Sequence, residues 1–411
     1  MAIVISIFTI YLKLLLKFIY FIACYHFKSK VIVMKKPFYV ALPLLLITLN
    51  SQTHAEFDLV KKNQFDSPIL APLHLQFGGQ IRPQWVDYMG PEAGYLKNGH
   101  DGLSRFRFTA NYDLSSDTAL IGYYERGINV PKFLGWQNHY NENSNTTYER
   151  EAYIGIKNNQ FGTLTYGRQF GMYYSVIGMK SDVWDNDGHA GAMGNGINGT
   201  YDGANRPTRS LMYTKSFDTT KLYANYLFSE HSIAVSGDNE YRRNNGYGLG
   251  ADYQINKNTT ASLTYSRTNA DLYHSLSQES KAYHQDIIGS ALTYETDDWY
   301  VVGTASYYHD FIPRRNSTVY NDYFAGDGYG LEGFMGYTFH LNQPYLKSIQ
   351  PYVAVDSLRL QGSENFRSNH QNIGMSFAIN KKFKIMAEHT FASTSDNSEQ
   401  DSNWLTMFIN F

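Results

Sequence analysis

Hydrophobic and polar residues alternate along much of the chain. Between residues 103 and 113, Phe106 and Phe108 lie on one side while Arg105 and Arg107 lie on the other. This two-residue period is typical of a β-strand with one apolar and one polar face, and it recurs in segments of roughly nine to eleven residues. We predict sixteen strands, at residues 73–88, 103–113, 118–127, 147–157, 163–168, 208–216, 220–228, 246–254, 259–268, 286–295, 299–308, 329–339, 349–358, 369–379, 383–392 and 403–411.

The segments between these strands alternate in length. Short polar turns such as 115–117 and 256–258 alternate with longer segments such as 128–146 and 169–207. This is the pattern of an up-and-down meander, whose even strand number places both ends on the short-turn side. Because every backbone N–H must be paired in lipid, such a sheet has to close on itself, and sixteen strands enclose a water-filled interior. The predicted fold class is all-β: a 16-stranded antiparallel transmembrane β-barrel with short periplasmic turns and long extracellular loops.

The composition agrees with a membrane barrel. Charged residues make up 18% of the chain, below the roughly 25% of soluble proteins, and aromatic residues make up 16%. Aromatic pairs such as Tyr123–Tyr124 end several strands, as in the aromatic belts at membrane interfaces. The alternative interpretation is a soluble β-sandwich or solenoid with aromatic core residues.

Residues 34–55 have the organisation of a signal peptide. Lys35 and Lys36 form a positive start, residues 38–49 form an apolar core, and Ala55 ends a small-x-small cleavage pattern. We therefore predict export and a barrel formed by residues 56–411.

The first 33 residues precede this signal. Since two export signals in series make little physical sense, we interpret residues 1–33 as an upstream extension translated from an earlier start. The alternative is a membrane anchor at Ile3–Tyr25, which is long enough to span but contains Lys13 and Lys17.

Charge and cysteine content exclude several classes of function. Removing residues 1–55 removes six lysines and no acidic residue, so the net charge changes from −2 to −8, which does not favour nucleic-acid binding. The single cysteine, Cys24, lies before the predicted cleavage site, so the exported chain has no disulfide, cysteine-ligated metal or catalytic thiol.

Four segments and the last residue carry a family resemblance. Residues 104–112, 148–157, 162–171 and 172–178, together with the terminal Phe411, resemble the general porins of the Gram-negative outer membrane, of the enterobacterial trimeric type. The resemblance implies a homotrimer in the lipid and lipopolysaccharide membrane, with a channel for passive diffusion of small hydrophilic solutes and ions. It also implies that the outer-membrane assembly machinery recognises Phe411.

The same resemblance implies that the third loop, about 169–207, folds into the barrel and narrows it. In the family, acidic residues of this loop face an arginine cluster on the opposite wall. The corresponding acidic residues here are Asp182, Asp185 and Asp187. The family's usual Pro-Glu-Phe-Gly-Gly stretch is absent, and Trp184 begins the different sequence in its place. The alternative is a solvated loop with ordinary surface aspartates.

Basic residues at inward positions form the predicted opposite wall. An arginine that faces lipid at the bilayer midplane costs about 2–4 kcal/mol, so alternation assigns Arg82, Arg105 and Arg107 to the lumen. Alternation in the sixth strand also places Arg206 on the polar face. The resemblance implies that Arg105, Arg150 and Arg206 match the family's constriction arginines, although the alternation around Arg150 is ambiguous. The family has a lysine in the first strand, and this chain has the uncharged Gln80 at the corresponding position. The predicted basic wall residues are Arg82, Arg105, Arg107, Arg150 and Arg206.

Arg168 matches a family arginine at the subunit interface. The resemblance implies contact with an acidic residue on the second loop of a neighbour, for which Glu142 is the candidate. A local contact within the same chain is the alternative.

The predicted function is therefore a diffusion porin with mild cation preference, not an enzyme, and without a cofactor. The first alternative is a sugar- or oligosaccharide-selective porin, in which Tyr173, Tyr174 and Trp184 stack on the solute. The second is a barrel hydrolase. Because His139 and the other loop histidines show no metal-ligand spacing, we predict no metal site.

Overall fold

The computed structural model describes residues 56–89, 100–135, 145–192, 199, 201–234, 239–274, 276–311, 326–341, 343–361 and 365–411. The predicted signal peptide at 34–55 and the predicted extension at 1–33 lie outside these residues and stay predictions. Across the described ranges, no helix combines the length and hydropathy needed to cross a bilayer.

Strands make up most of the described chain. In chain order they are β1 (Phe57–Val60), β2 (Leu73–Ile81), β3 (Pro83–Tyr88), β4 (His100–Asp101), β5 (Arg105–Asp113), β6 (Thr118–Ile128), β7 (Thr147–Asn158), β8 (Gly162–Arg168), β9 (Ser210–Ser216), β10 (Thr220–Leu227), β11 (Ile233–Ala234), β12 (Asn239–Asn256), β13 (Thr259–His274), β14 (Glu279–Glu295), β15 (Trp299–Phe311), β16 (Gly326–Tyr337), β17 (Phe339–His340), β18 (Ser348–Gln361), β19 (Phe366–Ala378), β20 (Phe383–Thr394) and β21 (Ser402–Asn410). The described helical turns are α1 (Val130–Phe133), a π-helical turn (Tyr174–Gly178) and α2 (Met179–Ser181).

These strands form a closed antiparallel barrel of sixteen wall positions. The segments β2 and β3 together form the first position, and β16 and β17 form the twelfth, while β1, β4 and β11 are short additional pairings. Closure comes from β21, which pairs Asn410 with Gln80 on β2 and Leu405 with Trp85 on β3. The predicted fold class and strand number are confirmed.

The strands β12, β13 and β14 are longer than predicted. Their predicted ranges were 246–254, 259–268 and 286–295, whereas they contain 18, 16 and 17 residues. The additional residues lie where the outward apolar alternation stops, and we therefore assigned them to loops. The first strand is also interrupted between β2 and β3, since Pro83 lacks the N–H that a continuous ladder needs.

Large apolar side chains cover the outer face of the barrel. Ile154 on β7, Leu249 on β12 and Leu263 on β13 are 70%, 64% and 60% exposed. A contiguous apolar surface of this kind is stable in lipid rather than in water, so the outer face is the lipid-facing face.

Candidate functional site

The third loop enters the barrel directly after β8. Gln169 fixes its first arm, because the side-chain amide donates to the carbonyl oxygen of Ser210 at 2.8 Å. The backbone N–H of Gly171 donates to the carbonyl oxygen of Asn205 at 2.6 Å. The two arms of the loop are therefore joined at the point where the loop turns inward.

The π-helical turn packs against the inner wall. Met172, Val176 and Ile177 are completely buried, and the wall leaves room for them by carrying glycine. A Cβ atom on Gly250 of β12 would lie 2.7 Å from Val176 Cγ2, and one on Gly330 of β16 would lie 2.1 Å from the carbonyl oxygen of Ala190. The close approach of loop and wall therefore depends on these glycines.

Charged and polar side chains fix the next part of the loop. Lys180 Nζ lies 2.9 Å from Asp252 Oδ1 on β12, and Ser181 Oγ donates to Glu332 Oε2 on β16 at 2.6 Å. The Tyr300 hydroxyl on β15 donates to the carbonyl oxygen of Lys180 at 2.8 Å. Alternation assigned these wall residues to strands, but their loop partners were missed, because contacts between distant segments leave no local pattern.

Glu388 on β20 anchors the middle of the loop. Its carboxylate accepts the backbone N–H of Asp185 at 3.1 Å and that of Asn186 at 3.0 Å. The same carboxylate accepts the hydroxyl of Tyr352 at 2.8 Å. We did not predict this residue as part of the site, since its role depends on where the loop lies.

The three loop aromatics predicted as a stacking surface are buried. Tyr173, Tyr174 and Trp184 are 1%, 7% and 3% exposed. Tyr174 stacks on Phe170 with ring centroids 4.4 Å apart, and Trp184 stacks on Phe334 at 6.0 Å. Their rings pack against protein, which favours loop anchoring over solute stacking.

The three predicted loop aspartates differ in their surroundings. Asp182 is exposed and accepts the hydroxyl of Tyr174. The side chain of Asp185 is fully buried, with Oδ1 3.6 Å from Arg82 Nη2. Asp187 is half-buried, and burial together with the nearby Asp182 carboxylate raises the pKa of Asp187 well above its usual range.

Arg82 lies between β2 and β3 and faces this loop. Its guanidinium is 4.5 Å from the centre of the Phe408 ring, and Lys384 Nζ lies 4.2 Å from the same ring. Cations over an aromatic face are stabilised by the negative charge of the ring surface. Lys384 therefore lies beside Arg82 on the same face of the wall, and it was not among the predicted basic residues.

Three of the predicted arginines surround one acidic residue. Glu125 on β6 lies 3.7 Å from Arg105 Nε, 3.9 Å from Arg107 Nη1 and 2.5 Å from Arg150 Nε. Glu56 also contacts Arg107, at 2.9 Å. Arg150 thus lies on the same side of the barrel wall as Arg105 and Arg107.

Arg206 is the remaining predicted arginine, and it lies on the second arm of the third loop, which leads back to β9. Its guanidinium is 4.5 Å from the centre of the Phe170 ring, and Nε is 3.7 Å from Glu151 Oε1. Glu151 and Glu125 were not predicted as partners of the arginines. Glu125 on β6 and Glu151 on β7 lie directly opposite each other. Finding such a pair requires the register between the two strands, which alternation alone does not provide.

Arg168 contacts an acidic residue of its own chain. Its Nη1 lies 3.9 Å from Glu149 Oε1. The predicted partner Glu142 lies outside the described residues.

The terminal residue takes part in closing the barrel. The Phe411 N–H donates to the carbonyl oxygen of Gly79 at 3.1 Å, and the Gly79 N–H donates to that of Phe411 at 2.8 Å. Its ring lies 5.8 Å from that of Phe77.

The profile of a family described as Gram-negative porin matches residues 66–397. The chain belongs to this family. It is an outer-membrane porin, a β-barrel that forms a channel.

Individual relatives agree with this assignment. The porin is 23% identical to outer membrane protein YedS of Escherichia coli over 304 residues, covering 72% of this chain and 78% of the relative. It is also 23% identical to outer membrane porin N of Escherichia coli strain K12 over 236 residues, covering 55% of this chain and 58% of the relative.

Solved structures share the fold. OmpF of Salmonella typhi, in complex with daunomycin, matches with a TM-score of 0.63 and 14% identity, covering 83% of the porin and 98% of OmpF. An anion-selective porin from Comamonas acidovorans matches with a TM-score of 0.56 and 14% identity, covering 82% and 100%.

Proposed function

We propose that this porin is a general channel for passive diffusion of small hydrophilic solutes and ions, with a charged constriction. The supporting observation is the contact between Asp185 of the third loop and Arg82 of the wall, at 3.6 Å. This contact brings the acidic part of the loop to the barrel wall that carries the arginines. Asp182 stays exposed beside it.

The proposed mechanism is electrostatic. Carboxylates on the loop and guanidinium groups on the wall create a field across a narrow wet passage. A polar solute aligns its dipole in this field and replaces part of its lost hydration, whereas an apolar solute disrupts ordered water without compensation. The width of the passage sets the size limit, and the charge balance sets the ion preference.

Planar-bilayer recording tests the channel directly. We expect stepwise conductance increases when the purified porin is added to a lipid film, and entry of small neutral solutes that is linear in concentration. A film that stays electrically silent after verified insertion would refute the proposal.

Mild cation preference is part of the proposal. It rests on the net charge of −8 for residues 56–411, with histidine neutral. In a salt gradient, the reversal potential should have the sign of a cation-selective pore. The opposite sign would remove the ion preference while leaving the diffusion channel intact.

A selective sugar or oligosaccharide porin is the second candidate. Burial of Tyr173, Tyr174 and Trp184 against protein leaves little ring surface for a sugar. Saturable uptake of an oligosaccharide, or current blockade by it at micromolar concentration, would favour this candidate over general diffusion.

We also propose that the barrel has no catalytic activity of its own. The predicted result is conductance without lipid or peptide hydrolysis by the same preparation. Hydrolysis that copurifies with the channel and is lost on substitution of a lumen residue would support the hydrolase alternative.

A homotrimer is the proposed assembly, on the basis of the family. A structurally similar protein, OmpT of Vibrio cholerae, is described in a trimer form. The proposed latch joins Arg168 to Glu142 of a neighbour. If the latch exists, Arg168→Ala should abolish heat-resistant trimers in semi-native electrophoresis, while Arg209→Ala, on an exposed side chain paired with Glu230, leaves them unchanged. Intact trimers in Arg168→Ala would instead assign Arg168 to its contact with Glu149.

A further inference from the structure

Three metal-ligating side chains from separate segments meet at the long-loop end of the lumen. His189 comes from the third loop, His370 from β19, and Glu399 from the connection between β20 and β21. His370 Nε2 lies 2.6 Å from Glu399 Oε2, and His189 Nδ1 lies 3.4 Å from the same oxygen. The two imidazole rings are 4.1 Å apart between centroids.

On each histidine, the outer nitrogen, which is the ring nitrogen that does not contact Glu399, faces an oxygen acceptor. His370 Nδ1 lies 2.6 Å from Asp356 Oδ1, and His189 Nε2 lies 2.8 Å from Asn186 Oδ1. The side-chain nitrogen of Asn186 donates to Thr390 Oγ1 at 3.1 Å, so the side-chain oxygen of Asn186 is the atom that faces His189. In the neutral tautomers that satisfy both acceptors, the proton of each ring is on the outer nitrogen.

These tautomers direct two lone pairs toward one carboxylate. His370 Nε2 and His189 Nδ1 then both present lone pairs to Glu399. Lone pairs and a carboxylate oxygen repel one another at these distances unless a cation lies between them. The cation is either an additional proton on an imidazole or a metal ion.

We propose that His189, His370 and Glu399 form a binding site for a divalent transition metal ion of the Zn²⁺ class. Two imidazoles and one carboxylate are an established ligand set for zinc, and water would supply the fourth position. Metal–ligand bonds of about 2.0–2.1 Å in a tetrahedron separate the ligand atoms by about 3.3 Å. The distance of 3.4 Å between His189 and Glu399 already matches, and the distance of 2.6 Å between His370 and Glu399 has to widen by about 0.7 Å. All three ligand atoms lie within 4.8 Å of one another.

Asp356 has the position of a supporting residue for this site. A ligating histidine usually donates its other N–H to a carboxylate, which fixes the orientation of the ring. The side chains of Asp356 and His370 are both 0% exposed, so this pair is held in place before any metal arrives. The side chains of His189 and Glu399 are 27% and 34% exposed, so the site is open to ions from the lumen.

Metal binding would connect three separate segments of the chain. The ion would join the third loop to the wall and to the β20–β21 connection. The sequence spacing did not indicate this site, because the ligands come together only through the inward fold of the third loop. It therefore goes beyond the channel function and does not depend on it.

The test is calorimetric titration of ZnCl₂ into chelator-treated porin, expressed from the full sequence and extracted from membranes in detergent. We expect one site per chain. His189→Ala, on the loop, should lower the affinity at least tenfold, and Asp356→Asn, which preserves shape and an acceptor oxygen, should lower it about 10–100-fold. His309→Ala is the matched control, since His309 pairs with Asp327 at 2.6 Å on an exposed surface, and it should leave the affinity unchanged.

Two results would overturn the proposal. Either wild-type porin does not bind Zn²⁺, or the His189→Ala and Asp356→Asn variants bind it as tightly as wild type. In both cases the cation between the imidazoles and Glu399 is a proton. Circular dichroism of each variant checks that the barrel is intact, and Co²⁺ absorption bands of a four-coordinate site in wild type, absent in His189→Ala, give a second readout.

Discussion

Glu388 provides a direct measure of how firmly the third loop is held. In Glu388→Ala, the backbone N–H groups of Asp185 and Asn186 lose the carboxylate that accepts them at 3.1 and 3.0 Å. A hydrogen bond to a charged group contributes about 1.5–3 kcal/mol, so the two bonds contribute about 3–6 kcal/mol to loop attachment. At about 1.4 kcal/mol per factor of ten, the opening equilibrium of this segment should rise on the order of 10²- to 10⁴-fold.

Hydrogen–deuterium exchange measures this equilibrium at the amides concerned. Protection of a peptide covering residues 183–187 should fall by that factor in Glu388→Ala. Glu388→Gln keeps one acceptor oxygen and should give a smaller loss. Glu240→Ala, on the exposed side of β12, is the matched control and should leave the protection unchanged.

The effect should also be local. Ser181 and Lys180 keep their own wall contacts at 2.6 and 2.9 Å, so the earlier part of the loop stays attached. We therefore expect noisier single-channel current in Glu388→Ala without collapse of the barrel. A loss of protection smaller than tenfold at residues 185 and 186 would show that Glu388 does not hold the loop.

Three further predictions concern charge and assembly. Arg82→Ala should raise the cation-to-anion permeability ratio by up to about fivefold, since a unit charge about 4 Å away contributes about 1 kcal/mol in water; an unchanged reversal potential would place Arg82 outside the ion path. Because burial and the Asp182 carboxylate raise the pKa of Asp187, its carboxyl is still neutral at a pH where an ordinary aspartate is charged. Raising the pH through that interval should therefore increase cation preference, and a pH response that persists in Asp187→Asn would contradict this assignment. Phe411→Ala removes the ring beside Phe77 and should lower the yield of heat-resistant folded barrel several-fold in quantitative electrophoresis, whereas a wild-type yield would remove Phe411 as an assembly determinant.

The barrel itself could be predicted because lipid imposes a simple rule on each strand. Outward residues such as Leu249 and Leu263 must be apolar, so the alternation appears in the sequence without knowledge of any partner strand. The rule does not apply to residues of a strand that extend beyond the membrane, because their outward side chains need not be apolar. Arg243 on β12 is fully buried, and its guanidinium donates to the carbonyl oxygens of Tyr201 and Thr208 at 2.9 and 2.8 Å. Such positions are indistinguishable from loop residues in the sequence.

The candidate site was only partly predictable, for a related reason. Arginines in the lumen, such as Arg105 and Arg107, are predicted from the cost of placing them in lipid, and both lie within 3.9 Å of Glu125. Their neutralising partners depend on cross-strand register, and the loop anchors depend on contacts between segments far apart in the chain. Glu388, for example, has an ordinary inward position until the third loop is placed against it.

The unequal strand lengths make the rim of the barrel uneven. Strands of about 9–11 residues suffice to cross a bilayer, whereas β12, β13 and β14 contain 18, 16 and 17 residues and β8 and β9 contain only seven each. At about 3.3 Å per residue, a surplus of about six residues tilted by about 45° raises one flank roughly 14 Å above the lipid. Among the wall strands, β12, β13 and β14 are therefore the ones that a large molecule approaching this end of the barrel would contact before it reaches β8 and β9.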